Sequence, residues 1–384
     1  MPGAGGPVRY LRAALCTNQG TGCVMGFPML DFRFFLRGTL VWQSIRRASS
    51  GLVAAGLLLL PGAVRAQDVY FSQPYAARLH ANPAFTGLFD DYSITLSFRD
   101  QFPYVPGSFI TTQLAADFRP NTPGQHQAFG LLINQDRSGS AGYTRLELGG
   151  LYAYHTRLRE QVALSGGLRI SYGRQRIGYN NFVFGDQLQD DGSLSGPSAE
   201  VLDFAPVNYL SLGLGGVLYS AHGWLSLAGQ HVNQPNLGFH QQSQLPLLLS
   251  ASGGYKFFIV EPGTGANPRE VSYTPVVGLF RQGGSTRSEA GLYLTTSPIT
   301  AGAVYRNIYL PGSVGHQQLL VAVVGLQAGG LRLGYSYDIG LSRLSADLGG
   351  AHEVTLAFRA FDRLENAHRR LKRRVYPASP CPVF

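Results

Sequence analysis

The stretch "LRLGYSYDIGLSRLSADLGGAHEVTLAF", residues 331–358, decides how the rest of the chain is read. Side chains on a strand alternate between its two faces. Leu331, Leu333, Tyr335 and Tyr337 therefore share one face, and Arg332, Gly334, Ser336 and Asp338 the other. A glycine-rich loop follows, then a second alternating run. Val354, Leu356 and Phe358 take one face of it, and Glu353, Thr355 and Ala357 the opposite one. Arg and Asp inside one strand, Glu inside the next and a tyrosine pair outside fit two strands standing between a polar lumen and lipid.

The same alternation fills the chain from residue 91 onward. Tyr92, Ile94, Leu96 and Phe98 alternate with Ser93, Thr95, Ser97 and Arg99. Further segments start near Ser108, Gln127, Tyr143, Gln161, Val207, Gly223, Leu247, Val271, Arg287, Thr300, Gln317, Leu331 and His352. The expectation is an all-β chain, a transmembrane antiparallel β-barrel of about 14 strands, an even number as in outer-membrane barrels. Its connections sort by length. Residues 102–107, 136–142, 175–206, 232–246, 282–286, 308–316 and 339–351 gather at one end. Tight turns around Arg159, Ala221, Pro298 and Gly329 gather at the other, with two longer connections at 119–126 and 259–270. Long loops at one end and short turns at the other are the outer-membrane pattern. Closure pairs every backbone group, which hydrocarbon requires. A water-soluble β-sandwich is the competing reading, and neither the even count nor the N-terminal region favours it.

Composition agrees. The chain has 384 residues with 49 Gly, 22 Phe and 20 Tyr, and charged residues make up only 14%, which fits neither a disordered chain nor an ordinary helical protein. Arg46 and Arg47 precede the apolar run "GLVAAGLLLLPGAV", and "VRA" ends at Ala66. These are the parts of an export signal, with cleavage expected near Ala66 and the product going to the outer membrane; a retained membrane anchor is the alternative. Residues 1–66 carry +6 and residues 359–384 carry +5, so residues 67–358 carry −2 of the total of +9. The basic balance belongs to the two ends and argues for no nucleic acid partner. Cys16 and Cys23 lie in the leader and Cys381 in the tail, which leaves 67–358 without a disulfide or a thiolate metal site.

The segment after the leader reads "QDVYFSQPYAARLHANPAFTG", residues 67–87. It resembles the start of the PorP/SprF family of type IX secretion membrane proteins, at Asp68, Phe71, Ser72, Gln73, Tyr75, Asn82, Pro83, Ala84, Phe85 and Gly87. "FRDQFP" (98–103), "GLLINQDRSG" (130–139), "HVNQPN" (231–236), "VYRN" (304–307), "GYSYDIGLSRL" (334–344) and "GGAHEV" (349–354) follow in the family's order. The long leader and the basic tail depart from the family pattern. The resemblance implies a non-enzymatic outer-membrane component of type IX protein secretion and gliding in a Bacteroidetes-type envelope. It implies as partners an exported surface protein with a C-terminal sorting domain and other type IX secretion components, besides outer-membrane lipid. A passive diffusion porin and an outer-membrane enzyme remain the alternatives.

The expected organisation is a leader and signal over 1–66, a periplasmic N-terminal segment over 67–90, the barrel over 91–358 and a basic periplasmic tail over 359–384. Asn82-Pro83 reads as a turn leading into the barrel, or as part of a segment that folds into the lumen or meets a periplasmic partner. No catalytic, cofactor or metal constellation emerges. His352 and Glu353 are adjacent on a strand and point to opposite faces, so they form no dyad. Glu353 is expected to pair with Arg332. Asp186, Asp190 and Asp191 are dense enough for calcium but lack the spacing of an EF-hand loop. The partner-binding rim is expected at Phe102, Tyr104, Phe182, Phe184, Phe239, Tyr309 and Arg343. The family-motif positions are Asn82, Pro83, Phe85, Tyr335, Ser336, Tyr337, Asp338, Gly349, Gly350, His352 and Glu353.

Overall fold

Fifteen strands run in sequence around one closed wall. The computed structural model describes residues 68–119, 126–139, 142–178, 183–189, 191, 193, 196, 198–199, 204–261, 270–310, 316–341, 348–359 and 381. The strands are β1 Tyr92–Gln101, β2 Phe109–Phe118, β3 Gln127–Ser138, β4 Tyr143–Arg159 and β5 Val162–Arg176. Then come β6 Val207–Ser220, β7 Gly223–Gln230, β8 Leu248–Tyr255, β9 Phe257–Val260 and β10 Val271–Gln282. The last are β11 Ser285–Thr296, β12 Ile299–Tyr309, β13 His316–Ala328, β14 Leu331–Gly340 and β15 Ala351–Arg359.

Every neighbouring pair is antiparallel, and β1 closes the ring on β15 from Ser93↔Arg359 to Gln101↔Ala351. β8 and β9 both pair with β10 and are one stave interrupted at Lys256. The barrel therefore has the 14 positions expected from the alternating segments. The strand starts fall within two residues of the expected ones, because the turn residues that end each run are legible in the sequence.

The alternation has the expected sense. In β1, Tyr92, Ile94, Leu96 and Phe98 are exposed, while Ser93, Thr95, Ser97 and Arg99 are buried. The apolar face looks outward and the polar face inward, the reverse of a soluble sheet and the arrangement lipid demands. No helix among the described residues is long and apolar enough to cross a membrane; strands do the crossing.

A barrel of this size with an empty lumen would leave its inner side chains wet. They are instead buried, because residues 68–90 lie inside. This segment forms one helical turn at Arg78–Ala81 and a 3₁₀ turn at Pro83–Phe85. Asn82 starts the second turn: its side-chain oxygen accepts the Ala84 N–H at 2.8 Å, and Pro83 has no N–H to leave unpaired.

Candidate functional site

The luminal segment crosses the barrel from end to end. Asp68 lies among Arg145, His231 and Gln282, all where β4, β7 and β10 meet the long loops. Asp90 pairs at 2.8 Å with Arg332, at the short-turn start of β14. Between them, Phe71, Tyr75, Leu79, Phe85 and Leu88 are buried. Each such side chain contributes about 1.5–3 kcal/mol of burial relative to exposure.

The polar side chains of the segment fix its register. The Ser72 and Gln73 backbone N–H groups donate to the two carboxylate oxygens of Glu353 at 2.6 and 3.0 Å. The Gln73 amide donates to Ser336 Oγ and to the Glu353 carbonyl. Ser72 Oγ donates to Asp338, and Arg99 bridges the same two acids at 2.8 Å to Asp338 and 3.3 Å to Glu353. Lower down, Arg78 pairs with Asp117 at 2.9 Å, and the Gly87 N–H donates to the other Asp117 oxygen. The Asn82 amide donates to Ser226 Oγ and to the carbonyls of Gly216 and Leu227. Two wall glycines let the backbone in: a Cβ at Gly167 would overlap the Ala84 backbone, and one at Gly215 the Asn82 side chain.

Near the long-loop mouth the network becomes a latch. Tyr70 of the segment sits within 4.7–5.0 Å of the guanidinium groups of Arg99, Arg287 and Arg306. Their charge is balanced by Asp338, Glu353 and Glu289. Three arginines and three acids balance one another's charge, while Arg99 Nε and Arg306 Nη2 are buried without a hydrogen-bond partner among the described residues. Asp68 accepts from Arg145 at 2.9 Å and from His231 Nε2 at 2.6 Å, while His231 Nδ1 lies 2.7 Å from Ser211 Oγ. A hydroxyl, an imidazole and a carboxylate in line resemble a hydrolytic relay. Ser211 and His231 are both buried, and the array ties Asp68 of the segment to β6 and to the end of β7. The loop after His231 folds inward over it, with Leu237 and Leu245 packed on Tyr209. One gap, of about 70 Å³ and lined in part by Asp68, His80, Phe280 and Arg287, has room for a few waters.

The family-motif positions divide between two jobs. Asn82, Pro83 and Phe85 belong to the luminal segment, and Ser336, Asp338 and Glu353 hold it. Tyr335, Tyr337 and His352 face outward. The Tyr335 hydroxyl lies 2.9 Å from His352 Nδ1, and the Tyr337 and His352 rings are 4.7 Å apart. Gly349 and Gly350 turn the chain into β15 with φ of 87° and 65°, a conformation that favours glycine. The expected Arg332–Glu353 pair is not formed. Arg332 reaches down to Asp90 and Glu353 takes Arg99, because the luminal segment inserts its own acid and backbone donors between them.

The expected rim residues do not converge. Phe102 and Tyr104 stand together beside Gly349 and Gly350, with Tyr104 strongly exposed. Phe239 packs on Phe204 across the mouth, and Phe184 opens a short 3₁₀ turn. Tyr309 is exposed beside His316. Phe182 and Arg343 lie outside the described residues. So does Asp190. Asp186 is engaged by Ser198 and the Ala199 N–H, which hold its carboxyl below the usual range, and Ser193 does the same for Asp191. Among the described residues no three acidic, His or Cys side chains cluster as metal ligands. The wall partners Arg99, Glu147, Arg169, Glu289 and Arg306 are not among the expected site residues. Their signal was present: each is a charge at an inward position of a ten-residue alternating run.

No curated protein matches the chain. Among solved structures it is similar to CdiB from Acinetobacter baumannii at 9% identity and a TM-score of 0.39, over 70% of this chain and 60% of that one. It is similar to the toluene transporter TbuX of Ralstonia pickettii at 14% identity and a TM-score of 0.38, over 74% and 93%. The monoaromatic hydrocarbon channel CymD is similar at 11% identity and a TM-score of 0.43, over 77% and 93%. The profile of the type IX secretion system membrane protein PorP/SprF matches residues 63–358, which takes in the luminal segment and all fifteen strands up to Phe358. An outer-membrane barrel with that match over its whole wall and its lumen belongs to the PorP/SprF family of type IX secretion system membrane proteins.

Proposed function

We propose that the protein is a non-enzymatic accessory of type IX secretion and gliding, which assists export of sorting-domain cargo or holds it at the cell surface. The observation that carries this reading is the occupied lumen. Residues 68–90 run the length of the barrel and are bonded to its wall at both ends. A pore filled by its own chain favours docking at the rim over diffusion through the middle.

In this reading the leader is removed near Ala66, the long-loop end faces outward, and cargo meets Phe102, Tyr104, Phe182, Phe184, Phe239, Tyr309 and Arg343. A few aromatic and arginine anchors would carry most of the binding energy. Other secretion components would meet the short-turn end. The test is deletion of the gene and an inventory of surface and medium proteins. Loss of one surface protein with general secretion intact supports a dedicated anchor, and loss of all sorting-domain cargo supports a general component. Unchanged cargo with slower uptake of a small solute would replace this reading with the porin.

A further inference from the structure

Outside the lumen, the register of β3 to β6 sets outward side chains in rows near the long-loop ends. The row nearest the loops is Arg137, Thr144 and Arg176. The next is Gln135, Leu146, Arg174 and Asn208. Below it lie Leu148, Tyr172 and Leu210. Arg137 and Arg176 stand two strands apart, about 10 Å, and Arg174 and Arg176 about 7 Å apart along one face.

All three arginines are exposed, and among the described residues none has an ion pair or a side-chain hydrogen bond. The luminal arginines are the contrast: Arg99, Arg145, Arg169 and Arg306 each face a carboxylate. The acids of the same strands cannot serve the outer face. Asp136 turns inward to Thr111 and Glu147 to Arg169. The outward Asp100 is two strands from Arg137, across Ile110. Guanidinium groups this close repel one another, and an anion with several oxygens between them removes the repulsion and takes bidentate bonds.

The surroundings say what carries that anion. The Tyr172 hydroxyl donates to the Asn208 side-chain oxygen at 2.9 Å, so the amide N–H groups are further donors at the same level. Immediately below, Leu148, Tyr172 and Leu210 are exposed and continue the lipid-facing belt. Gly150, the next outward position on β4, has nothing within 4 Å of where a Cβ would stand, which leaves a dent between Leu131 and Ile170. Cationic donors above a dented apolar belt fit the two halves of an amphiphile. An acidic protein would use the arginines and leave the belt without a partner.

We propose that this face of β3 to β6 binds a phosphate-bearing lipid of the leaflet at the long-loop end. Arg137, Arg174 and Arg176 hold the headgroup phosphate, and an acyl chain lies past Leu148 and Tyr172 into the dent at Gly150. The site rests on the barrel standing in the outer membrane and is independent of which cargo it serves.

The test uses the full-length protein in dodecyl maltoside and a fluorescent lipid A, a bisphosphorylated acylated disaccharide, read by anisotropy. Replacing Arg137, Arg174 and Arg176 together by Gln should weaken binding at least about tenfold. Replacing Arg157, Arg159 and Arg281 by Gln removes the same charge elsewhere on the surface and should change it little. A dephosphorylated probe should bind the wild type no better than the phosphorylated one binds the triple variant. Unchanged affinity in the triple variant, equal loss in the charge-matched control, or equal binding of the dephosphorylated probe would each overturn the proposal. A triple variant that keeps lipid A but loses an acidic protein from membrane pull-downs would make the patch a protein interface instead. If the triple variant does not assemble, Arg174→Gln and Arg176→Gln singly should each weaken binding about threefold or more.

Discussion

Glu353 shows how much one residue does in this lumen. Its two carboxylate oxygens take the backbone N–H groups of Ser72 and Gln73, and one of them also faces Arg99. Glu353→Ala would orphan two buried amide donors and unbalance a buried arginine, a loss of about 3–5 kcal/mol. Glu353→Gln keeps the volume and one acceptor, and should cost less, about 1–3 kcal/mol. Denaturant midpoints in detergent measure both; wild-type stability for Glu353→Ala would mean the segment is not held there. Gly167 carries the opposite constraint, since any side chain overlaps the Ala84 backbone. Gly167→Val should displace the segment and make residues 68–90 accessible to protease in a barrel that still closes.

At the scale of one strand, β14 separates the two faces. Leu333 is exposed on the outer face, and Leu333→Arg should impair assembly by about 2–4 kcal/mol near the membrane midplane. In an open barrel Ser336→Arg would be tolerated, since a luminal arginine stays wet. Here Ser336 is fully buried and accepts from Gln73, so Ser336→Arg should be at least as damaging. Folding yields of the two variants make the comparison, and a well-tolerated Ser336→Arg would contradict a packed lumen. The staves themselves were legible because period two and turn residues are local signals, as in Tyr92–Gln101. The luminal segment was only half legible. Asn82-Pro83 announces a turn, and Asp68, Ser72 and Gln73 match the family, but nothing local says which wall residue each will meet. The partners are hundreds of positions away, Ser72 with Asp338 and Asp68 with Gln282. Arg332 shows the consequence: its expected partner, Glu353, is on the next strand, and its actual one, Asp90, is on the inserted segment.

The molecule as a whole is a barrel whose wall meets lipid and whose lumen holds residues 68–90 of its own chain. Orientation follows from loop length. Gln241→Cys, in the loop after β7, should be labelled by an impermeant reagent on intact cells, and Ala221→Cys, in the β6–β7 turn, should not; the reverse result would invert the barrel. The central claim is that residues 68–90 close the lumen, and single-channel recording in a planar bilayer tests it most directly. The intact protein should give no steady open conductance, and Gly167→Val should give open-channel events. A stable ohmic pore from the intact protein would contradict the account.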